Sequence, residues 1–476
     1  MSLRTIEPAP LRTSVSTARD TSTRVPGTEA SPASGGLLLI FGAIHIASQL
    51  LLLVPAFGAV RVVVRMGAFG MGLAFILFVR RKDIRQKAEL KLPLKACALS
   101  IVGILGLELF HPEGGGLLPG IAEIMLTLAV MAPIFWLPRI TVGAHTFQRL
   151  VTMLWVFYSA SATTGVLQAM FPGRFQPGLS TIVTGLRHDA VNSLQIKLAS
   201  GERIFRPMGL TDIPGGAAYG GLFAVILGIG MLLQPKPPFF GGRLLAFGSM
   251  IVGAMCLYLC QVRSVLVMTG ICVITLVTLL MISGRVTRLM GLAAALGAVI
   301  QGAFVLAVSL GGRAVTDRLN TLVQADAGTV YYKNRGHFLE TTINTHLPQY
   351  PLGAGLGRWG MVNYYFGEMT GYLYVEIQWT GWLFDGGVPL ILLYVAALLI
   401  TTWGCVRVAL GRAGASAESL SIWGAVLVAY NVGTLALTFN YVVFTGTAGV
   451  EFWLLNVALL CAAQNSKLAP RPTVAA

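Results

Sequence analysis

"SVLVMTGICVITLVTLLMISG", residues 264–284, decides the fold class of this chain, because it runs for 21 residues without a charged side chain. A helix rises about 1.5 Å per residue, so a stretch of this length crosses the roughly 30 Å hydrocarbon core of a bilayer. The stretch therefore predicts a transmembrane helix.

Apolar runs of similar length recur along nearly the whole chain. Hydrophobic residues make up 55% of its 476 residues, charged residues make up 11%, and the mean hydropathy is +0.74. This pattern predicts an all-α polytopic membrane protein with about 12 transmembrane helices. The predicted spans are 36–55, 59–79, 95–111, 116–137, 150–171, 216–234, 243–262, 264–284, 289–310, 380–403, 420–439 and 442–463.

Polar segments divide the chain between these spans. Residues 1–35 are rich in Ser, Thr, Pro and Arg and lack the apolar core of a signal peptide, so we expect a disordered cytoplasmic tail. The predicted organisation then continues with helices 1–5 in 36–171, an outer loop over 172–215, helices 6–9 in 216–310, a large outer loop over 311–379, helices 10–12 in 380–463 and a cytoplasmic tail over 464–476.

The positive charges set the predicted orientation. The net charge is +15, and seven Lys and Arg residues lie in 80–95 alone. Short cytoplasmic loops of membrane proteins accumulate such residues, so the excess predicts cytoplasmic N- and C-termini rather than nucleic-acid binding. Both long loops then lie on the outer side. The six cysteines fall in or beside apolar runs, which predicts neither disulfides nor a metal site.

Arg263 lies between two apolar runs with almost no loop around it. A guanidinium at this depth is costly unless it binds a partner or faces a wet cavity, which makes Arg263 a candidate functional residue. The alternative is that its side chain extends to lipid headgroup phosphates. Arg61 and Arg65 face each other at i, i+4 near the outer end of the second span. They either add positive potential there or, as we rather expect, serve as headgroup anchors.

Two further outer arginines accompany Arg263. Arg335 lies in "KNRGHFLETTINTH" (333–346), where apolar residues recur at helical spacing and predict an amphipathic helix on the membrane surface. Its alternative is a place on the solvated face. Arg206 opens "RPMGLTDIPGGAAYGG" (206–221), whose Gly and Pro residues predict turns at the membrane boundary.

Three arginines at one membrane boundary suggest an anionic ligand. Arg stays charged and its planar fork binds phosphate oxygens in a bidentate manner. A lipid-linked diphosphate, with its tail in the bilayer and its head at the surface, fits such a site. Arg318, in the same large outer loop, is a further candidate substrate-binding residue.

"PLGAGLGRWG" (351–360) resembles a nucleotide-binding loop only superficially, because its glycines are spaced GxGxG and no strand precedes them. We expect these glycines to allow a tight, closely packed turn. The outer side also carries candidate acid or base residues, namely His337, His346, Glu340, Glu368, Glu376 and Asp385. A surface role is the alternative for His337, and a buried structural pairing is expected for Glu108 and Glu123.

Four of these segments, in this order, resemble the O-antigen polymerase and ligase superfamily of bacterial envelope glycosyltransferases. They are "RPMGLTDIPGG", "QVRSVLVM", "NRGHFLETTINTHLPQYPLGAGLGRWG" and "EIQWTGWLFDGGVPL", and together they cover roughly residues 200–400. The resemblance implies a GT-C-like membrane enzyme that needs neither a metal nor a nucleotide sugar.

The resemblance also implies roles for individual residues. Arg263 and Arg335 fall on the two arginines that such enzymes use to bind the undecaprenyl diphosphate of the donor. Ligases usually carry a His-Asn pair eleven residues before the glycine that matches Gly387; here the position is Glu376, followed by an isoleucine. This departure favours a polymerase over a ligase and makes Glu376 a hypothetical general base. Arg206, His337, Glu340 and Arg318 are then candidate substrate-binding residues.

The implied reaction joins sugars on the periplasmic side of the bacterial inner membrane. The partners implied are an undecaprenyl-diphosphate-linked oligosaccharide, membrane lipids, and the flippase and chain-length regulator of the same pathway. The alternative from a different class is a transporter or a flippase of lipid-linked sugars. A transporter would place ionisable residues or broken helices at mid-bilayer, whereas the charges here cluster at the outer boundary.

Overall fold

A computed structural model describes residues 32–54, 61–79, 91–178, 194–197, 203–235, 241–284, 286–312, 315–317, 320, 328–329, 332–367, 371–411 and 418–468. Arg318, Glu368 and most of both terminal tails lie outside these residues. The side chain of Arg61 also lies outside them.

Long helices dominate the described part of the chain. In chain order they are α1 (Pro32–Leu51), α2 (Arg61–Phe78), α3 (Lys91–Glu108), α4 (Leu117–Trp136), α5 (Ala144–Met170), α6 (Ala217–Leu233), α7 (Gly242–Cys260), α8 (Arg263–Ile282), α9 (Val286–Gly311), α10 (Gln378–Ala409), α11 (Glu418–Leu437) and α12 (Thr447–Leu468). The only strands among the described residues form one small hairpin, β1 (Gln195–Lys197) and β2 (Arg203–Phe205).

The predicted fold class is confirmed as an all-α membrane protein. Eight helices in the described part are long and apolar enough to cross a bilayer, namely α4, α5 and α7–α12. Shorter apolar helices occupy Gly35–Leu51, Val63–Phe78 and Ala217–Leu233. Each long helix lies within a few residues of a predicted span, while the total of 12 crossings stays a prediction.

One predicted boundary was wrong. Residues 438–446 form a connection between α11 and α12, although 442–446 was expected to begin the last span. Val443 and Phe444 in this connection are buried against protein: each is 2% exposed, and the Phe444 N–H donates to Gln378 Oε1 at 2.8 Å. Hydropathy alone does not distinguish this burial from contact with lipid.

Helix α6 lies at the centre of the bundle and packs against α5, α7, α8 and α11. Nearly all of its residues are buried. Small residues allow this packing, because a Cβ on Gly221 would lie 2.7 Å from the carbonyl oxygen of Gly253 on α7. Close approach through glycine is the usual way in which membrane helices gain contact area. The ends of α6 and its neighbours hold the segments described below.

Candidate functional site

The segment 206–216, between β2 and α6, is anchored to α5. The Gln168 side chain accepts hydrogen bonds from the backbone N–H groups of Met208 and Gly209, at 2.7 and 2.8 Å, and donates to the Gly209 carbonyl at 3.0 Å. Gln168 is 1% exposed, so these bonds are shielded from water. A second anchor is Ser161 Oγ, which accepts from the N–H of Leu210 at 3.0 Å. The segment therefore has a defined position above α5.

Asp212 ties the same segment to α2 through an ion pair with Arg65. The expectation that Arg65 serves as a headgroup anchor was therefore wrong. Asp212 is 3% exposed, and a buried carboxylate needs a cationic or hydrogen-bonding partner. The pairing could not be predicted from the sequence, because the two residues are 147 positions apart.

Arg206 leads into this segment and lies close to the start of α8. The Arg206 N–H donates to the Leu194 carbonyl at 2.9 Å and its carbonyl accepts from the Gly215 N–H at 3.3 Å, so the backbone is held on both sides. A Cβ on Gly215 would lie 3.7 Å from Arg206 Cδ and 3.3 Å from Val262 Cγ2. Since Arg263 follows Val262 directly, Gly215 brings the two arginines together.

A tight turn places Arg263 at the first position of α8. Helix α7 ends at Cys260, and only Gln261 and Val262 separate it from α8. Gln261 has φ 54°, the only positive φ among the described residues other than glycine. A left-handed conformation costs a non-glycine residue about 1–2 kcal/mol. Arg263 therefore belongs to the first turn of α8, where N–H groups without partners in the helix carry partial positive charge.

The two arginines form a positive site that the described side chains do not neutralise. Nε of Arg206 and Nε of Arg263 are both buried, and neither has a hydrogen-bond partner. Burial lowers the pKa of Arg206 from its ordinary value, and the charge of Arg263 lowers it further. Arg nevertheless stays charged at neutral pH. Two adjacent guanidinium groups with unused donors are suited to binding a multivalent anion.

Arg335 lies on a second element at the same end of the bundle. Residues 332–349 form a continuous helical segment in which π-helical turns, Tyr332–Gly336 and Thr342–His346, flank a short α-helix, His337–Thr341. The predicted helix is therefore confirmed; its place on a membrane surface stays a prediction. Thr342 Oγ1 lies 2.6 Å from Thr380 Oγ1, which fixes the segment to the beginning of α10.

Arg335 and Glu376 form an ion pair. The other Glu376 oxygen, Oε1, accepts a hydrogen bond from the Tyr374 hydroxyl. The guanidinium carbon of Arg335 lies 5.9 Å from the centre of the Phe338 ring, which in turn lies 6.0 Å from the Tyr374 ring. Burial lowers the pKa of Arg335, and nearby Tyr374 and Tyr441 oppose this effect. Arg335, predicted to bind the diphosphate, and Glu376, predicted to act as the base, are thus in direct contact.

The glycine-rich segment forms the tight turn that its sequence predicts. Gly353, Gly355 and Gly357 have φ of 133°, 85° and 76°, a region that favours glycine. The turn packs on the connection between α3 and α4, where the Gly115 N–H donates to the Leu356 carbonyl at 2.8 Å. Glu123, on α4, accepts from the Gly357 N–H at 2.6 Å. These contacts use the backbone of the turn for packing.

The same turn fills a break in α10. Gly386 and Gly387 depart from helical geometry, with ψ of 20° for the first and φ of 64° for the second. The backbone groups that the break frees are taken up by the turn: the Phe384 carbonyl accepts from Ala354 N–H at 2.7 Å, and Val388 N–H donates to the Pro351 carbonyl at 2.9 Å. A broken helix in a bilayer needs such partners.

Asp385, just before the break, has a structural environment. Trp359 Nε1 donates to Asp385 Oδ1 at 2.6 Å, and the Glu123 carboxyl group lies within hydrogen-bonding range of Asp385. Asp385 is 7% and Glu123 5% exposed. The expected structural role of Glu123 is confirmed, although its partners are Gly357 and Asp385. Glu108 lies against Gly353 of the same turn.

The remaining predicted residues of the 332–349 segment lie near Arg335 in sequence but make other contacts. His337 Nδ1 lies 3.4 Å from the Tyr332 carbonyl, and its ring contacts Phe338. Glu340 is exposed and accepts a hydrogen bond from the Tyr332 hydroxyl at 2.5 Å. The His346 ring lies 5.0 Å from that of Phe384, and burial lowers the pKa of His346.

Two groups of residues were not predicted from the sequence. Tyr441, in the connection between α11 and α12, lies within electrostatic range of both Arg335 and Tyr219 on α6. It lies in the two-residue gap between the predicted spans 420–439 and 442–463, where no functional residue was expected. A buried hydrogen bond also joins His45 Nε2 to Glu451 Oε1 at 2.7 Å, and Tyr158 donates to the same oxygen. Ionisable residues within apolar runs were the available signal.

The fold and the site together define a polytopic all-α membrane protein that carries a cationic cluster at one end of its helices. No protein-family model matches the chain, and none of the curated proteins is significantly similar to it.

Proposed function

We propose that this protein is a glycosyltransferase of the bacterial inner membrane that polymerises undecaprenyl-diphosphate-linked oligosaccharide repeat units on the periplasmic side. The observation that carries the proposal is the pair formed by Arg206 and Arg263, whose buried Nε atoms have no hydrogen-bond partner. A diphosphate supplies oxygens for both forks, and its lipid tail can remain in the bilayer beside α8. Arg335 is the third cation at this end of the bundle.

The proposed glycosyl transfer depends on stabilisation of the charge on the leaving diphosphate, and it needs no covalent intermediate with the protein. An acceptor sugar hydroxyl attacks the anomeric carbon of the donor from the face opposite the diphosphate, which inverts that carbon. The bond between the anomeric carbon and the diphosphate oxygen breaks, and its electron pair leaves with the diphosphate. Arginines held in place before the reaction stabilise the charge that develops on this leaving group. A carboxylate, for which Glu376 is the candidate, accepts the hydroxyl proton.

A ligase that transfers the glycan to lipid A core uses the same donor and the same arginines. Glu376 in place of the His-Asn pair of ligases is the sequence feature that favours a polymerase. The two activities differ in acceptor, so they are separated by supplying the acceptors one at a time.

A transporter or flippase of lipid-linked sugars is the candidate from another class. Two observations favour it: α10 is broken at Gly386 and Gly387, and the ionisable residues His45 and Glu451 are hydrogen-bonded within the bundle. Transport sites use the freed backbone groups of broken helices to bind ions or substrate. Here the backbone of the glycine turn occupies the groups at the break, which favours the enzyme.

The activity is tested with purified full-length protein in lipid nanodiscs and a lipid-linked oligosaccharide as the sole substrate. Longer lipid-linked chains, resolved by gel electrophoresis and mass spectrometry, are expected, with an unchanged rate in EDTA and without nucleotide sugar. Product formed only after lipid A core is added identifies a ligase. Movement of labelled donor across a sealed vesicle without any new glycosidic bond identifies a flippase, and the polymerase proposal is then rejected.

The arginine site is tested by Arg263→Ala and Arg206→Ala. Each variant loses a charged donor to a diphosphate, and we expect kcat/KM to fall by about 10²–10³-fold, the range for removal of one group that stabilises a developing charge. Arg174→Ala is the matched control, since Arg174 is an exposed arginine over the Phe175 ring at the same end of the bundle. Full activity in Arg263→Ala would remove the diphosphate site from the proposal.

A further inference from the structure

The three outer arginines differ in whether a protein anion already neutralises them. Arg206 and Arg263 have unpartnered buried Nε atoms, whereas Arg335 is held by Glu376. Two of these arginines thus keep an unused Nε donor, and the third is occupied by a side chain from a different segment. A ligand that engages Arg335 must first displace Glu376.

Both oxygens of Glu376 are engaged. Oε2 forms an ion pair with Arg335 Nη1, and Oε1 accepts a hydrogen bond from the Tyr374 hydroxyl. In this arrangement the arginine neutralises the charge of the carboxylate and stabilises its ionised form. Glu376 is therefore a weaker proton acceptor for a substrate while it holds Arg335.

The pair is placed where a ligand can exchange with it. The side chains of Arg335 and Glu376 are 35% and 24% exposed, so the ion pair is reachable from solvent and is not sealed within the bundle. A diphosphate carries more negative charge than a carboxylate and matches the guanidinium fork with two oxygens. It is therefore the stronger partner for Arg335.

The backbone permits Glu376 to move while Arg335 stays in place. Glu376 lies just before α10, in the non-helical stretch that follows residue 371, whereas Arg335 lies within a helical segment fastened to α10 through Thr342 and Thr380. Exchange of partners thus requires a side-chain rotation of Glu376 and leaves the position of the arginine unchanged.

We propose that Glu376 is the resting counter-ion of Arg335, that the donor diphosphate displaces it, and that the released carboxylate then takes the proton of the acceptor hydroxyl. This inference rests on the proposed function and adds an order of events to it. Glu376 becomes the stronger proton acceptor only when the donor is bound, so donor binding precedes productive acceptor binding.

The step balances in atoms and charge. A diphosphate oxygen replaces Glu376 Oε2 at Arg335 Nη1. The acceptor O–H bond breaks, its proton goes to Glu376, and its oxygen forms the new bond to the anomeric carbon. The bond from that carbon to the diphosphate breaks with its electron pair on the diphosphate. After the lipid diphosphate leaves, Glu376 returns its proton to water and pairs with Arg335 again.

Glu376→Gln separates this inference from a simple base or a structural role. Glutamine keeps the size of the side chain and removes the charge that competes for Arg335. We expect undecaprenyl diphosphate, the product and probe, to bind the variant about fivefold more tightly, as removal of a competing, partly exposed ion pair allows. Turnover of the lipid-linked oligosaccharide is expected to fall about 10²–10⁴-fold through loss of the base.

Binding is measured with full-length protein in nanodiscs by thermophoresis against labelled undecaprenyl diphosphate. Arg335→Ala is expected to weaken binding about tenfold, and Glu376→Gln is expected to have no further effect in the Arg335→Ala background, since the competition is then absent. The matched control is Glu113→Gln, because Glu113 forms a similar pair with Arg358 at 3.1 Å in another loop. Its binding constant is expected to equal that of the wild type.

Two failures are distinguishable. If binding depends on Arg263 and Arg335 but Glu376→Gln binds no more tightly than the wild type, the exchange is rejected and the proposed function stands. If the wild type does not distinguish undecaprenyl diphosphate from undecaprenol, both the proposed function and the exchange are rejected.

Discussion

Substitution of Gly357 by alanine tests the glycine turn that joins the 332–349 segment to the helix bundle. Gly357 has φ of 76°, and a Cβ at this position would lie 2.4 Å from Pro119 Cβ on α4. The next neighbours, the Pro119 carbonyl carbon and the Gly120 nitrogen, are backbone atoms at 3.0 and 3.2 Å, so the contact cannot be relieved by a side-chain rotation.

The expected destabilisation has two parts. An L residue in the left-handed region costs about 1–2 kcal/mol. Overpacking against a rigid neighbour adds about 1–3 kcal/mol. Alanine also lowers the conformational entropy of the unfolded chain, which offsets about 0.4–1 kcal/mol of this loss. We therefore expect Gly357→Ala to lower the free energy of unfolding by about 2–4 kcal/mol.

Gly360→Ala is the matched control for backbone conformation. Gly360 has φ of 68°, close to that of Gly357, but nothing lies within 4 Å of a Cβ built on it. Only the conformational part remains, and we expect a loss of about 1 kcal/mol or less. The difference between the two variants isolates the contact with Pro119.

The assay is thermal unfolding of purified protein in detergent, followed by intrinsic tryptophan fluorescence. Gly357→Ala is expected to lower Tm by several degrees more than Gly360→Ala, and to impair turnover because the turn positions the segment that carries Arg335. Equal Tm values for the two variants would refute the packing described for this turn.

The buried hydrogen bonds of Glu451 give a second expectation. Glu451→Ala leaves His45 and Tyr158 without their acceptor and is expected to lower the free energy of unfolding by about 2–6 kcal/mol, since each unsatisfied buried group costs about 1–3 kcal/mol. Glu451→Gln keeps an acceptor oxygen and is expected to lower it by less. Equal losses measured by thermal unfolding would contradict the pairing. A third concerns pH. Because burial lowers the pKa of His346, the unfolded chain binds more protons than the folded protein between the two pKa values, so stability rises with pH in this window and falls as the pH drops below about 6.5. Tm measured from pH 7.5 to 5 is expected to fall less in His346→Gln than in the wild type, and parallel profiles would contradict this role.

The helices were predictable because hydropathy is a local property. Each span is a run of apolar residues long enough for a bilayer, and its recognition needs no knowledge of its neighbours. The glycine turn was predictable for a related reason, since Gly353, Gly355 and Gly357 mark left-handed backbone whatever they pack against. The connection at 438–446 was not predictable, because Val443 and Phe444 are buried by protein and hydropathy does not distinguish this burial from contact with lipid.

The arginines were found as candidates, but their partners were not. Arg263 was identified because it lies between two apolar runs, and Arg335 because it lies on a predicted amphipathic helix. Nothing along the chain indicated that Arg65 pairs with Asp212, which is 147 positions away. The same holds for His45 and Glu451, which are 406 positions apart. Pairings of this kind depend on which helices become neighbours.

The sequence by itself determined that this protein is an all-α membrane protein, where its long helices lie, and which residues at the membrane boundary are cationic. These properties follow from the free energy of moving individual side chains between water and lipid, which each run of residues carries on its own. Tertiary structure alone decided that Arg206 lies beside Arg263 with unused donors, and that Glu376 neutralises Arg335. The reason is that the interaction energy between two charges depends on their separation and on the polarity of their surroundings, and folding sets both.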